Sequence, residues 1–226
     1  MFKTMTRTLS IPHFLFSDTY DITDLSHLRS SLNTSLSSDP TSTIKKLSYL
    51  PFIIKAVSTA LHSYPILNAR LDTSGPKPTL TYRAAHNIGI AIDTPGGLLV
   101  PVIKSVHTLS ILEIAAEVTR LSSLAEASKL STNDFSNGTI TVSNIGSIGG
   151  TTVAPVIVDG QLSILGIGKV RTVPAFDSQE DIVRRQEVVC SWSADHRVVD
   201  GATMARFAGK VGEFLSAPGR LVVNLR

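Results

Sequence analysis

The chain of 226 residues is 42% hydrophobic and 17% charged, enough apolar material for one sizeable core and too little charge for a disordered tail. A single cysteine, Cys190, excludes an internal disulfide framework and a cysteine-based zinc site and fits a reducing compartment. The net charge of +3 is scattered without a run of four basic residues, so neither nucleic acid nor a membrane surface is an expected partner. No apolar stretch approaches the roughly 20 residues that span a bilayer, and the opening MFKTMTRTLS lacks the apolar segment of a signal peptide.

Between Asp21 and Leu36, leucines at 25, 28, 32 and 36 recur at helical spacing after Thr23, the expected N-cap. The polar stretch from Thr34 to Thr43 reads as a surface loop. A second helix is expected in LSYLPFIIKAVSTALHSY, capped by Ser48, with Pro51 in its first turn and Pro65 ending it. It is apolar around most of its circumference and should be buried.

The segment TLTYRAAHNIGIAIDTPGGLLVPVI is strand-rich, with Pro95-Gly96-Gly97 turning the chain. Ser110 and Glu113 form a capping-box pair that opens a helix ending near Lys129 or Leu130. Asn137-Gly138 leads into the strand TITVS, and Asp159-Gly160 separates the apolar runs VAPVIV and LSILGIGKV. The charged QEDIVRR reads as an exposed connection to the strand EVVCSWSA. A last helix starts near Gly201 and stops before Pro218-Gly219. Interleaved strands and helices without an internal linker or a 20–50-residue repeat predict one α/β (α+β) layered domain with a mixed sheet.

His13, His27, His62, His86 and His107 are isolated in sequence, with no second histidine or carboxylate at metal-ligand spacing, so no metal site is expected. His196 stands in SADHRVVDG, between a strand and a helix start, where a side chain can project from a rigid frame. A capped turn explains the same residues, with Asp200 as N-cap, Gly201 for close packing and His196 a bystander. SNIGSIGG and GIGK lack the spacing of nucleotide-binding loops, and no GxSxG elbow is present. A serine beside glycines at a strand end, a histidine in a strand-to-helix loop and a carboxylate four residues on suit acyl transfer.

SWSADHRVVDGATMARF resembles the DHRxxDG signature of the dihydrolipoamide acyltransferases of the 2-oxo acid dehydrogenase complexes; the shorter HxxxDG is shared with chloramphenicol acetyltransferase. KTMTRTLSIPHF, YPILNA, HNIGIAIDTPGGLLVPVIK, GTITVSNIGSIGGT and the last helix are similar to successive blocks of that family's catalytic domain, in its order. SNIGSIGGT with SWSADHR most resembles the branched-chain member, an acetyl-transferring core of a pyruvate complex or a catalytically silent core subunit being the alternatives. Three features depart from the family pattern: Gly160-Gln161 replaces a Pro-Glu pair, TSGPKPT lengthens the stretch after LNARLD, and QEDIVRR is unusual.

The resemblance implies a chloramphenicol acetyltransferase-like two-layer sandwich over residues 1–226, without upstream lipoyl or subunit-binding domains. It implies transfer of a branched acyl group from dihydrolipoamide to coenzyme A. His196 would be the base, Ser143 would donate to the oxyanion, and Asp200 would orient the loop and stabilise the imidazolium. Arg29, Ser48, Asp93, Ser143, Asn144, Gly168 and Val170 match coenzyme A positions. A homotrimer is implied, with His196 of one chain facing Ser143 of the next, built into a cubic core of 24 subunits. The implied partners are a separate lipoyl domain, a decarboxylase and a dihydrolipoamide dehydrogenase, in the mitochondrial matrix of a eukaryote or the bacterial cytoplasm.

Overall fold

The computed structural model describes Thr6 and residues 8–224; Lys3, Thr4, Met5 and Arg7 of the opening block lie outside the described residues. Its strands are β1 (His13–Asp21), β2 (Arg70–Asp72), β3 (Thr79–Thr81), β4 (Ile88–Thr94), β5 (Gly97–Leu99), β6 (Val102–Ile103), β7 (Ile140–Asn144), β8 (Ser163–Ile167), β9 (Arg171–Phe176) and β10 (Ile182–Asp195). The helices are α1 (Thr23–Ser38), α2 (Leu50–Leu61), α3 (Ile111–Glu126), α4 (Gly201–Ser216) and α5 (Gly219–Val223). The main sheet runs β1-β10-β8-β7-β4-β5, with β6 on β4 and β9 on β10, while β2 and β3 form a separate hairpin. Pairs β4–β7 and β7–β8 are parallel and the others antiparallel, so the sheet is mixed as expected.

Alternation along the strands gives the sheet two unlike faces. Ile88 and Ile90, Ile140 and Val142, Leu165 and Ile167, and Val188, Cys190, Trp192 and Ala194 all join the core beneath the helices. The intervening positions include Gly89, Thr141, Gly166, Ser191 and Ser193, which are small or polar. On the core side, Trp192 meets the Phe207 ring at 5.0 Å and donates to Tyr20 Oη, which donates to the Ala208 carbonyl. These contacts lock α4 onto β1 and β10. Cys190 is fully buried and burial pushes its thiol pKa up, so it packs rather than reacts.

Several local expectations give way to better hydrogen bonding. Thr23 lies inside α1 instead of capping it: the Asp21 carboxylate accepts the Thr23 N–H, and Thr23 Oγ1 accepts the Gln186 N–H. Helix α1 runs to Ser38, into the first half of the expected loop, and there Thr34, Ser35, Ser37 and Ser38 return their hydroxyls to carbonyls three or four residues back instead of leading the chain out of the helix. Ser48 caps nothing, since α2 begins after Tyr49 without a side-chain cap. The Ser110–Glu113 capping box is present, but α3 stops at Glu126. VAPVIV is irregular rather than a strand; Val153 and Pro155 lie against Gly166 and cover the polar face.

Only the start of QEDIVRR is a connection. Asp177 Oδ1 accepts the Gln179 and Asp181 N–H groups in a tight turn, and Ile182 onward pairs with β9 as a hairpin.

His62, His86 and His107, far apart in sequence, meet in space, with ring centroids 4.7 Å (62–86) and 5.1 Å (86–107) apart. His86 is buried, its Nδ1 2.9 Å from Ser58 Oγ, and its backbone N–H donates to His107 Nδ1. Lys55, also buried, donates to the carbonyls of His107 and Leu109. Desolvation, then the neighbouring His62 and His107, lower the His86 pKa to about 4, against 6.5 for a free imidazole. Below pH 6.5 the unfolded chain therefore takes up a proton that the folded chain refuses, and stability falls until the folded pKa near 4 is passed. Each unit of difference is worth about 1.4 kcal/mol. Denaturant melts between pH 7 and 4 should show a shallower loss in His86→Gln than in the parent.

Candidate active site

The strand-to-helix connection carrying His196 is fixed from several sides. The Asp195 N–H donates to the Leu162 carbonyl, and the Asp195 carbonyl accepts from Val198 and Val199. The buried Asp195 carboxylate receives the Arg197 backbone N–H at 3.0 Å, Nε at 2.9 Å and a terminal guanidinium nitrogen at 2.7 Å. The His196 N–H donates to the Pro12 carbonyl, and its ring meets Phe14 edge-on at a 4.9 Å centroid distance. His196 itself is exposed. This Asp195–Arg197 clasp escapes sequence reasoning, although an Asp and an Arg flanking the histidine is the signal for it.

Asp200 caps α4: its carboxylate accepts the Thr203 N–H at 2.6 Å. That bond, with smaller contributions from Arg206 and His196, holds the carboxyl below the usual carboxylate range. The capped-turn reading is thus correct for Asp200.

Ser143, half-buried, lies in the register row Ala91–Ser143–Gly166–Ser191–Ser17, on the small, polar face of the sheet. His196 is five residues beyond Ser191 on the same strand path and two strands away from β7. At ordinary strand spacings the two are separated by roughly 17 Å along the strands and roughly 10 Å across them. One chain does not bring them together.

A cleft of about 330 Å³ opens between the N-terminal ends of α1 and α2 and the ends of β7 and β8. Its lining includes Ser48, Asn144, Gly168 and Val170, four of the expected binding residues. Arg29 stands behind it, stacked over the Tyr49 ring at 4.4 Å and donating to the Leu47 carbonyl. Its Nε is buried with no hydrogen-bond partner among the described residues. Such an orphaned cationic donor, beside a cleft lined by no carboxylate, suits an anionic ligand. Gly146 and Gly168 form the floor: a Cβ on Gly146 would collide with the Gly168 carbonyl, and one on Gly168 with the Thr151 carbonyl.

Two expected positions fall outside the cleft. Ser143 neighbours Asn144 in sequence, but alternation sends their side chains to opposite faces. Asp93 is exposed near the β4–β5 turn, paired in register with Leu98. Lys169 and Ser147, absent from the expected set, line the cleft.

A mixed sheet of this order, covered by helices on one face, is the fold of the chloramphenicol acetyltransferase-like class. Residues 1–223 match the 2-oxoacid dehydrogenases acyltransferase (catalytic domain) family, and the chain belongs to it. It is 44% identical to the mitochondrial lipoamide acyltransferase component of the branched-chain alpha-keto acid dehydrogenase complex of Mus musculus, over all of this chain and 46% of that protein. The chain thus spans about half the length of the curated relatives it matches.

Among solved structures it is similar to the Azotobacter vinelandii dihydrolipoamide acetyltransferase, with 32% identity, a TM-score of 0.89, and 97% and 88% of the two chains covered. That structure concerns the roles of a serine, a histidine and an asparagine in catalysis. The cubic core of a pyruvate dehydrogenase multienzyme complex gives 33% identity and a TM-score of 0.88 over 96% and 87%. Chloramphenicol acetyltransferase, at 14% identity and a TM-score of 0.60 over 94% of both chains, shares the fold, as expected from the sequence.

Replacing Arg197 with Met leaves the buried Asp195 carboxylate with only the backbone N–H of its own loop. The guanidinium is part-exposed, which discounts the loss to on the order of 2 kcal/mol. Urea unfolding of Arg197→Met should register it as a lower midpoint at unchanged slope.

Proposed function

We propose that this chain is the catalytic and core-forming domain of a branched-chain 2-oxo acid dehydrogenase complex, passing a branched acyl group from dihydrolipoamide to coenzyme A. The observation that carries the reading is the family match over residues 1–223, within which the chain has Ser143 and His196 at the positions that its motifs assign to the catalytic pair. A catalytically silent core subunit would have no need of that pair. The similarity to the mouse branched-chain component supports the acyl class.

The reaction exchanges one thioester for another, without a covalent acyl-enzyme. A free thiol has a pKa near 8.5, so at neutral pH a base is needed to raise the thiolate fraction. His196, exposed on a rigid loop, takes the proton from the coenzyme A thiol. The thiolate attacks the acyl-lipoyl carbonyl, the Ser143 hydroxyl donates to the oxyanion, and His196 returns the proton to the departing lipoyl sulfur. Removing one such donor typically costs about 2.7–4 kcal/mol in the transition state.

Asp200 acts by position. In the Azotobacter enzyme the asparagine under study lies four residues after the histidine, as Asp200 does after His196. Asn and Asp are equally good helix caps, and the Asp200 carboxylate is already bonded to the Thr203 N–H. Its charge is a secondary aid to the imidazolium.

The separation of Ser143 from His196 within one chain favours a site assembled from two copies, as in a trimer that supplies three such sites. Assembly into a 24-subunit cube agrees with the similarity to a cubic core. Arg29, Ser48, Asn144, Gly168 and Val170 hold coenzyme A in the cleft; Ser143 reaches it only from the other face, and Asp93 stands apart. The acyl group arrives on a separate lipoyl domain. The decarboxylase and dihydrolipoamide dehydrogenase are partners of the whole complex, in the mitochondrial matrix if the source is a eukaryote.

His196→Ala should lower acyl transfer to coenzyme A at least about a hundredfold with the assembly intact by sedimentation. His196→Ala and Ser143→Ala, each inactive alone, should regain activity when unfolded and refolded together, because mixed oligomers contain interfaces with both residues intact. No recovery from co-refolded oligomers would remove the two-chain site. Isobutyryl and isovaleryl donors should exceed acetyl in kcat/KM; a reversed order would reassign the chain to acetyl transfer.

A further inference from the structure

The lining of the coenzyme A cleft contains one charged side chain, Lys169. It sits between the floor glycine Gly168 and Val170, in the connection from β8 to β9, and is exposed. Its backbone N–H is held by the Gly150 carbonyl, so the stem leaves a fixed point on the rim. No carboxylate pairs with its ammonium among the described residues, whereas Arg120, Arg185, Arg197, Lys210 and Arg220 are each held in an ion pair. Arg29, the second cation at this cleft, comes from the α1 wall and carries the buried unpaired Nε.

The rest of the lining is apolar or neutral: Ile22, Leu25, Leu50 and Ile53 on the helical wall, Ser48, Asn144 and Ser147 as polar points. An apolar cleft with Lys169 in its lining and Arg29 behind its helical wall fits an elongated ligand with an amide or alkyl arm and a phosphorylated end.

We propose that Lys169 is a phosphate-binding residue for coenzyme A, acting opposite Arg29 to hold the anionic end of the molecule while the pantetheine arm enters the cleft. This rests on the coenzyme A reading above and adds to it a residue that the expected binding set omits. Lys169 is far from the thiol end in this arrangement, so it contributes to binding and not to proton transfer.

The experiment compares Lys169→Gln, Lys169→Arg and the parent, all as the assembled protein, with coenzyme A, 3′-dephospho-coenzyme A and pantetheine as acceptors. Lys169→Gln should raise KM for coenzyme A roughly tenfold, as expected for one charge-assisted contact, with kcat within about twofold. Lys169→Arg should restore KM. Pantetheine, which has no phosphate, should have the same KM in all three proteins. The dephospho acceptor divides the effect: a penalty retained with it puts Lys169 at the pyrophosphate, and a penalty lost puts it at the 3′-phosphate, either supporting the proposal. An unchanged KM for coenzyme A, or an equal penalty with pantetheine, overturns it. A parent protein that uses none of the three acceptors would overturn the functional reading itself, a result distinguishable from a failure of Lys169 alone.

Discussion

Asp195 is the point on which the site's geometry depends. Its carboxylate is buried and charged, a state that is costly unless the ion is paired and hydrogen-bonded. The Arg197 backbone N–H and guanidinium satisfy that requirement, and together with the Val198 and Val199 N–H groups on the Asp195 backbone carbonyl they fix the path of the chain between β10 and α4. His196 is held between the two members of this pair, bonded through its backbone to Pro12 just before β1 and flanked by Phe14. The cap at Asp200 then starts α4 at once, and α4 closes the core over β1 and β10 through Phe207 and Tyr20. The His196 side chain is thus exposed on a backbone that has little freedom to move.

The second organising constraint is the difference between the faces of the sheet. The apolar face is buried under α2 and α4, while the other presents small and polar side chains to an irregular covering segment. Ser143 and Asn144 are consecutive yet address these two sides. A ligand that contacts Asn144 and a group that contacts Ser143 therefore approach the same strand end from opposite directions.

The fold class was legible because it rests on patterns local to the chain: the apolar circumference of α2, the PGG turn, the capping box at Ser110 and the glycine after Asp200. Ser143 and His196 were singled out through blocks of similarity, and the roles given to them belong to the proposed function. Misreadings arose where a partner distant in sequence decides the outcome. Gln186 occupies the hydroxyl of Thr23 that was expected to cap, and β9 turns charged QEDIVRR into a hairpin arm. The three histidines looked isolated because 24 and 21 residues separate His62, His86 and His107, a distance no motif spans. Asp93 shows the reverse limit, a motif position that the geometry of a single chain leaves exposed at a hairpin.

The floor of the cleft is made of main chain, with Gly146, Gly168 and the Thr151 carbonyl stacked too closely to admit a side chain. Its contour is therefore inherited from strand positions and closed to adjustment one residue at a time. Divergence in what the cleft accepts has to arise at its margins, at residues such as Ser48, Ser147 and Lys169, and any attempt to redesign its acceptor would begin there.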